Sequence, residues 1–90
     1  MRTPYLAGNW KMNNTCAEAK ELVQALSPMV NGTKNKVMVA PAFTALQSTG
    51  EALKGTDILL GAQNMSSEES GAHTGEISVH MLKELGVKVV

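Results

Sequence analysis

Short apolar runs alternate with amphipathic segments along this 90-residue chain, and the alternation limits the folds that it can adopt. The apolar runs lie at residues 5–9, 37–40, 58–62 and 87–90. Between them, apolar residues recur at the spacing of a helix face at about 15–30, 44–54 and 78–85. A strand–helix repeat of this kind implies right-handed crossovers between parallel strands. The sequence therefore predicts an α/β fold with a parallel sheet.

Capping residues mark the ends of the first predicted helix. Thr15 and Glu18 have the spacing of a capping box, in which each side chain bonds the backbone N–H of the other residue. Asn31 and Gly32 supply a stop after the last apolar position. The second helix is predicted less firmly, because Gly50 lies inside it and glycine is a poor helix former.

Two parallel architectures begin with this element order, a doubly wound sheet and a closed barrel. A dinucleotide-binding sheet requires a Gly-x-Gly-x-x-Gly turn after its first strand, and residues 8–14 lack it. No Walker-type phosphate loop is present either, so the sequence favours a barrel by elimination. Ninety residues make one small domain or a piece of a larger one, and we expect residues 1–90 to form a single partial domain.

The charge pattern limits the partners that this chain can have. Eight basic and eight acidic side chains cancel, and Lys and Arg form no stripe, so we expect neither nucleic acid nor an anionic membrane surface as a partner. No stretch approaches the ~20 apolar residues of a membrane span, and the N-terminus lacks the layout of a signal peptide. The single cysteine, Cys16, cannot form an internal disulfide. These features predict a cytoplasmic protein.

Two polar residues at the end of the first strand share one of its faces. Strand side chains alternate, so Asn9 and Lys11 point to one side and Trp10 to the other. Parallel α/β folds build their ligand sites at the C-terminal ends of the strands, which makes Asn9 and Lys11 candidate site residues. The alternative is that both are solvated residues at the start of a loop. A second candidate segment, residues 64–75, is a long Ser-, Glu- and Gly-rich excursion after the third strand, and such loops are usually functional.

Four motifs together resemble the N-terminal third of the triosephosphate isomerase family. They are Gly8-Asn9-Trp10-Lys11-Met12-Asn13, Ala40-Pro41, Gly61-Ala62-Gln63-Asn64-Met65 and Gly71-Ala72-His73-Thr74-Gly75-Glu76-Ile77-Ser78. Their order and separations match the family, and they span essentially the whole chain. The resemblance implies about three βα units and a fourth strand of a TIM (β/α)₈ barrel, a fold that takes ~250 residues in all.

The resemblance also implies an activity, the interconversion of dihydroxyacetone phosphate and glyceraldehyde 3-phosphate in glycolysis and gluconeogenesis, with no cofactor and no metal. In that reaction Lys11 is the catalytic cation beside the substrate oxygens, and Asn9 donates a hydrogen bond that positions the triose phosphate substrate. The family's general base, a glutamate, and its electrophile, a histidine, are not among these ninety residues. His73 and His80 do not replace them, and we expect both to be ordinary surface or packing residues.

By the same resemblance, the family is a homodimer in which the excursion reaches into the neighbouring subunit. It packs there near the residue at position 12, here Met12, and brings Thr74, with Gly75 beside it, toward the partner's catalytic strand end. Gln63 and Glu76 are expected to support the base of the excursion by hydrogen bonds. For Thr74 the alternative is a turn hydroxyl that bonds its own backbone.

Three functional hypotheses remain open from the sequence. The chain is part of an isomerase, a non-catalytic barrel fragment, or a free-standing α/β ligand-binding module. The third is disfavoured because the sequence stops inside a predicted strand, residues 87–90. In either of the first two cases, we expect the isolated chain to self-associate or to need a complementary chain.

Overall fold

Three parallel strands and three helices alternate along the chain in the computed structural model, which describes residues 5–30 and 35–90. The elements are β1 (Tyr5–Asn9), α1 (Cys16–Val30), β2 (Lys36–Ala40), α2 (Phe43–Ala52), β3 (Leu59–Leu60) and α3 (Val79–Glu84). The sheet has the order β1-β2-β3, with Asn9 opposite Ala40 and Met38 opposite Leu59. The predicted parallel α/β fold is confirmed.

All three helices pack against the same face of the sheet. Val37 and Val39 are buried on that face of β2. They belong to one core cluster with Val23 of α1, Leu46 of α2 and Leu82 of α3. A doubly wound sheet has helices on both faces, whereas a barrel has all of them outside. The one-sided core therefore agrees with the first part of a barrel.

Within residues 5–30 and 35–90, the opposite face of the sheet has no helix over it. Ala7 is exposed there, and Met38 and Leu59 are only partly buried. Gly61 also belongs to this face, because a Cβ added to it would lie 2.8 Å from the Met38 sulfur. In a closed barrel this face is the one that the remaining strands fill.

Gly50 lies inside α2 at a point where the helix packs closely against its neighbours. A Cβ at this position would lie 3.0 Å from Cδ2 of Leu60 and 3.2 Å from the carbonyl oxygen of Leu85. The helix runs from Phe43 to Ala52, close to the predicted 44–54. The glycine does not break the helix, and it relieves a tight contact with Leu60 and Leu85.

The predicted fourth strand, residues 87–90, is reduced to one bridge in the structure. Gly61 pairs in parallel with Val89, supported by hydrogen bonds of 2.8 Å from Lys88 N to Leu60 O and of 2.8 Å from Ala62 N to Val89 O. A strand ladder needs several successive residue pairs. The sequence predicts the third strand at residues 58–62, but β3 comprises only Leu59–Leu60, and Gly61 adds a single bridge. Residues 87–90 therefore lie parallel to β3, next to it, but they form one bridge and no extended strand.

The predicted capping box begins α1. The Thr15 N–H donates to Oε1 of Glu18 at 2.9 Å, and the Glu18 N–H donates to Oγ1 of Thr15 at 3.3 Å. The predicted stop at residues 31–32 lies outside the described residues. Within the part of the chain that the structure describes, no helix is long and apolar enough to cross a membrane.

The capping box should give α1 a pH-dependent stability. Hydrogen bonds from the backbone and then the side chain of Thr15 hold the pKa of Glu18 below its ordinary value. Because the folded pKa is lowered, the stabilisation is complete above the ordinary glutamate pKa and is lost as pH falls through the lowered one. We expect a peptide of residues 13–30 to be more helical than its Glu18→Gln variant at neutral pH, by circular dichroism at low temperature. This difference should disappear in acid, and a constant difference at all pH values would contradict the assignment.

Candidate functional site at the strand ends

The C-terminal ends of the strands meet at one edge of the sheet, and the two predicted polar residues lie there. The parallel register places Asn9, the last residue of β1, opposite Ala40, the last residue of β2. Asn9 and Lys11 are exposed, whereas Trp10 between them packs against the core cluster. Exposure alternates along these three residues as predicted, but β1 ends at Asn9, so Lys11 lies in the turn after the strand.

The backbone of Lys11 adopts a left-handed conformation, with φ of +54°. Residues other than glycine pay about 1–2 kcal/mol for this region, so such a conformation has to be held by its surroundings. The side chain of Asn9 supplies one support, because its Oδ1 accepts the Lys11 N–H at 2.8 Å. This bond forms an Asx turn through the amide oxygen of Asn9, and it does not use the two N–H donors of the same side chain.

Gln63 supplies the second support from the end of β3. Its Nε2 donates to the carbonyl oxygen of Lys11 at 2.8 Å and to that of Ala40 at 2.9 Å. The same Ala40 oxygen also accepts the Trp10 N–H at 3.1 Å. One amide group therefore ties together the ends of all three strands.

The segment after Lys11 is shaped by a second local turn. Nδ2 of Asn13 donates to the carbonyl oxygen of Trp10 at 2.8 Å, and Asn14 is also left-handed, with φ of +73°. Met12 lies in this segment with 94% of its side chain exposed. The turn thus presents a large apolar side chain to solvent next to the candidate cation.

Residues 64–75, the excursion, are joined at their base to the residues that directly follow them. The Ser66 N–H donates to Ile77 O at 2.8 Å and closes the base of the excursion, and the Glu76 N–H donates to His73 O at 3.0 Å. Gly75 has a φ of +86°, which favours glycine. In residues 5–30 and 35–90, neither Thr74, Gly75 nor Glu76 forms a hydrogen bond with Asn9 or Lys11. Of the predicted supporting residues, only Gln63 is brought to the site within one chain.

The arrangement provides an ammonium group and an amide donor for an anionic or partly charged oxygen. His73 and His80 are exposed, and no carboxylate or imidazole of the described residues is hydrogen-bonded to Asn9 or Lys11. Among those residues no group of three or more His, Cys, Asp or Glu side chains is placed to hold a metal ion. Taken alone, these residues can bind and polarise a substrate oxygen, and a proton transfer needs a further group.

Sequence reasoning missed the two supports of the Lys11 backbone. One signal was available, since an Asn two residues before Lys11 fits an Asx turn. The bond from Gln63 joins residues 52 positions apart, and no local pattern could have indicated its acceptors.

Comparisons with known proteins agree with this geometry. Residues 4–90 match the family model described as triosephosphate isomerase. The triosephosphate isomerases of Treponema pallidum and Caldanaerobacter subterraneus are each 56% identical to this chain over 90 residues, which are 100% of the chain and 36% of each relative. The solved structure of triosephosphate isomerase from Bartonella henselae matches with a TM-score of 0.88 at 36% identity, over 98% of this chain and 37% of that one. The chain therefore spans about a third of the length of the relatives it matches.

Proposed function

Because the chain belongs to the triosephosphate isomerase family, we propose that it forms the N-terminal part of an enzyme that interconverts dihydroxyacetone phosphate and glyceraldehyde 3-phosphate. The observation that carries the proposal is the position of Lys11. This residue is exposed at the C-terminal edge of the sheet, and its backbone is held by both Asn9 and Gln63. A solvated residue at a strand end does not need two such supports.

The proposed chemistry is proton transfer next to a carbonyl group. Negative charge grows on the substrate oxygen as the enediolate forms, and a preorganised donor aimed at that oxygen can lower the barrier by roughly 3–4 kcal/mol. Lys11 supplies a fixed positive charge for this oxygen. Asn9 donates from its amide nitrogen and sets the position of the substrate.

A general base and an electrophile complete the reaction, and both come from the rest of the barrel. The family pairs a glutamate base with a neutral histidine, and triosephosphate isomerase is itself the reference case for this pairing. The role proposed for residues 1–90 is thus binding and charge stabilisation. It requires no cofactor, and we assign the enzyme to the cytoplasm on the balanced charge and the single cysteine.

We also propose that the complete enzyme is a homodimer joined through the excursion. The exposed Met12 offers an apolar contact beside Lys11. The excursion keeps Thr74, Gly75 and Glu76 exposed, so they are accessible to a partner subunit. In this arrangement Thr74 supports the partner's strand end, while Gln63 acts within its own chain.

A non-catalytic barrel fragment is the second candidate, and the uncovered face of the sheet favours it. Ala7, Met38 and Leu59 lie on that face, and no element of the described part of the chain covers them. If the chain exists alone, this face directs it toward association and not toward catalysis.

The test of the proposed activity is a barrel completed with a relative's chain. Residues 1–90 are joined to the part of Treponema pallidum triosephosphate isomerase that follows its matched segment, and we call this protein the completed barrel. We expect a coupled assay to show isomerase turnover within about tenfold of the Treponema enzyme, which is about 1.4 kcal/mol of barrier. A completed barrel that melts cooperatively but isomerises triose phosphate no faster than buffer would contradict the proposal.

A further inference from the structure

We infer that Gln63 is a positioning residue for Lys11, and this inference rests on the proposed function. Gln63 lies two positions after the Gly61 bridge and directly before the excursion, far from Lys11 in sequence. Its amide nitrogen nevertheless holds the Lys11 carbonyl at 2.8 Å. The inferred task of Gln63 is to keep the Lys11 peptide in the one orientation that points the ammonium into the site.

The left-handed φ of Lys11 makes such a support necessary. A lysine released from this conformation relaxes to the extended or right-handed helical regions. That change rotates the Cα–Cβ bond and therefore moves the ammonium at the end of a long side chain. Asn9 fixes the N–H side of the residue and Gln63 fixes its carbonyl side, so both peptide groups of Lys11 are held.

The chemistry of the two bonds calls for a side-chain amide. Both acceptors, the carbonyl oxygens of Lys11 and Ala40, require a donor with two hydrogens in one group. A carboxylate at position 63 offers only acceptors and repels both oxygens. Met has a similar length but cannot donate, which makes Gln63→Met and Gln63→Glu two independent ways to remove the bonds.

The position of Gln63 also links Lys11 to the excursion. Residue 63 is the last before residues 64–75, so a displacement of the excursion shifts the amide that holds Lys11. The orientation of the candidate cation therefore depends on how the excursion is held, even though Thr74, Gly75 and Glu76 do not bond to Lys11 within the described chain.

The test is a double-mutant cycle in the completed barrel. Misplacing a catalytic group by about 1 Å can cost about 10²-fold in rate, so we expect Gln63→Met to lower kcat by about that factor, with a smaller change in KM. In a Lys11→Met background the same substitution should have almost no further effect on the residual rate, because the group it positions is already absent. Gln47→Met is the matched control, since Gln47 is an exposed glutamine of α2, and it should leave kcat unchanged.

Two kinetic results would overturn the inference. One is an unchanged kcat in Gln63→Met, and the other is an equal loss with and without the Lys11 ammonium, which would indicate a general structural role. If Gln63→Met does not fold, Gln63→Glu takes its place in the cycle.

The backbone φ of Lys11, measured by NMR in the same variants, gives a test that does not depend on activity. We expect φ to leave the left-handed region in the Gln63 variants. A φ that stays near +54° refutes the inference. If the parent barrel is folded but inactive, the proposed function fails, and this φ measurement still decides the role of Gln63.

Discussion

Replacing Lys11 by Met in the completed barrel should lower kcat by at least about 10²–10³-fold, the loss typical of removing one preorganised donor from a developing negative charge. The fold should remain intact, because Lys11 is exposed and contributes a charge and little packing. Far-UV circular dichroism and the melting temperature should therefore match those of the parent.

Two matched variants make the Lys11 result specific. Lys36→Met removes an exposed lysine from the opposite end of the sheet, at the start of β2, and should leave kcat unchanged. Asn9→Ala should be milder than Lys11→Met, because it removes a neutral donor and one of the two supports of the Lys11 backbone but keeps the ammonium group itself. If Lys11→Met melts like the parent and also turns over like it, Lys11 is a solvated strand-end residue after all.

The isolated ninety-residue chain should isomerise triose phosphate no faster than buffer. No carboxylate or imidazole of the described residues is hydrogen-bonded to Asn9 or Lys11. In the proposed enzyme, the general base and the electrophile come from the rest of the barrel. Loss of a general base alone can cost 10²–10⁴-fold, and here the electrophile is absent as well. A rate within about a thousandfold of the completed barrel in the coupled assay would refute this expectation.

The isolated chain should also fail to remain a compact monomer. β1 is paired with β2 on one side only and forms an edge of the described sheet, and Leu6 on it is 51% exposed. No described element covers the sheet face that carries Ala7 and Met38, and residues 87–90 make only one bridge. Open strand edges and apolar faces of this kind bind other chains, so we expect self-association or capture of a complementary chain.

Sedimentation and NMR of the isolated chain test this second expectation together. We expect masses above the monomer at low micromolar concentration, or a poorly dispersed amide spectrum. A monomer mass with dispersed and protected amides across residues 37–60 would show that the helix-side core alone is sufficient for folding.

The order and direction of the elements could be predicted from the sequence because they depend on local signals. The helical spacing of Val23 and the neighbouring apolar residues predicts α1, and the capping box at Thr15 predicts where it begins. The continuous apolar run at residues 37–40 predicts the buried strand β2. The bounds of β1 could be predicted, and those of β2 to within one residue, but the lengths of the third and fourth strands could not, because their pairing depends on how many residues the neighbouring strand offers. The fourth strand is reduced to the bridge at Val89 for this reason.

The candidate site also has a part that sequence could predict and a part that depends on the assembled sheet. Sequence alone could select Asn9 and Lys11, because both are polar residues at the C-terminal end of a predicted strand, but strand alternation does not describe Lys11, which follows β1 in a left-handed conformation. The conformation of Lys11 depends on Gln63, whose side chain reaches it only after three strands have been placed side by side. Sequence could propose Gln63 through family resemblance but could not assign its acceptors.

The most direct test of the central claim is a crystal structure of the completed barrel with dihydroxyacetone phosphate bound. Our account predicts that Nζ of Lys11 and Nδ2 of Asn9 lie about 2.7–3.2 Å from substrate oxygens, with Lys11 still left-handed and still bonded to Gln63. An ordered substrate that contacts neither Lys11 nor Asn9 would contradict it.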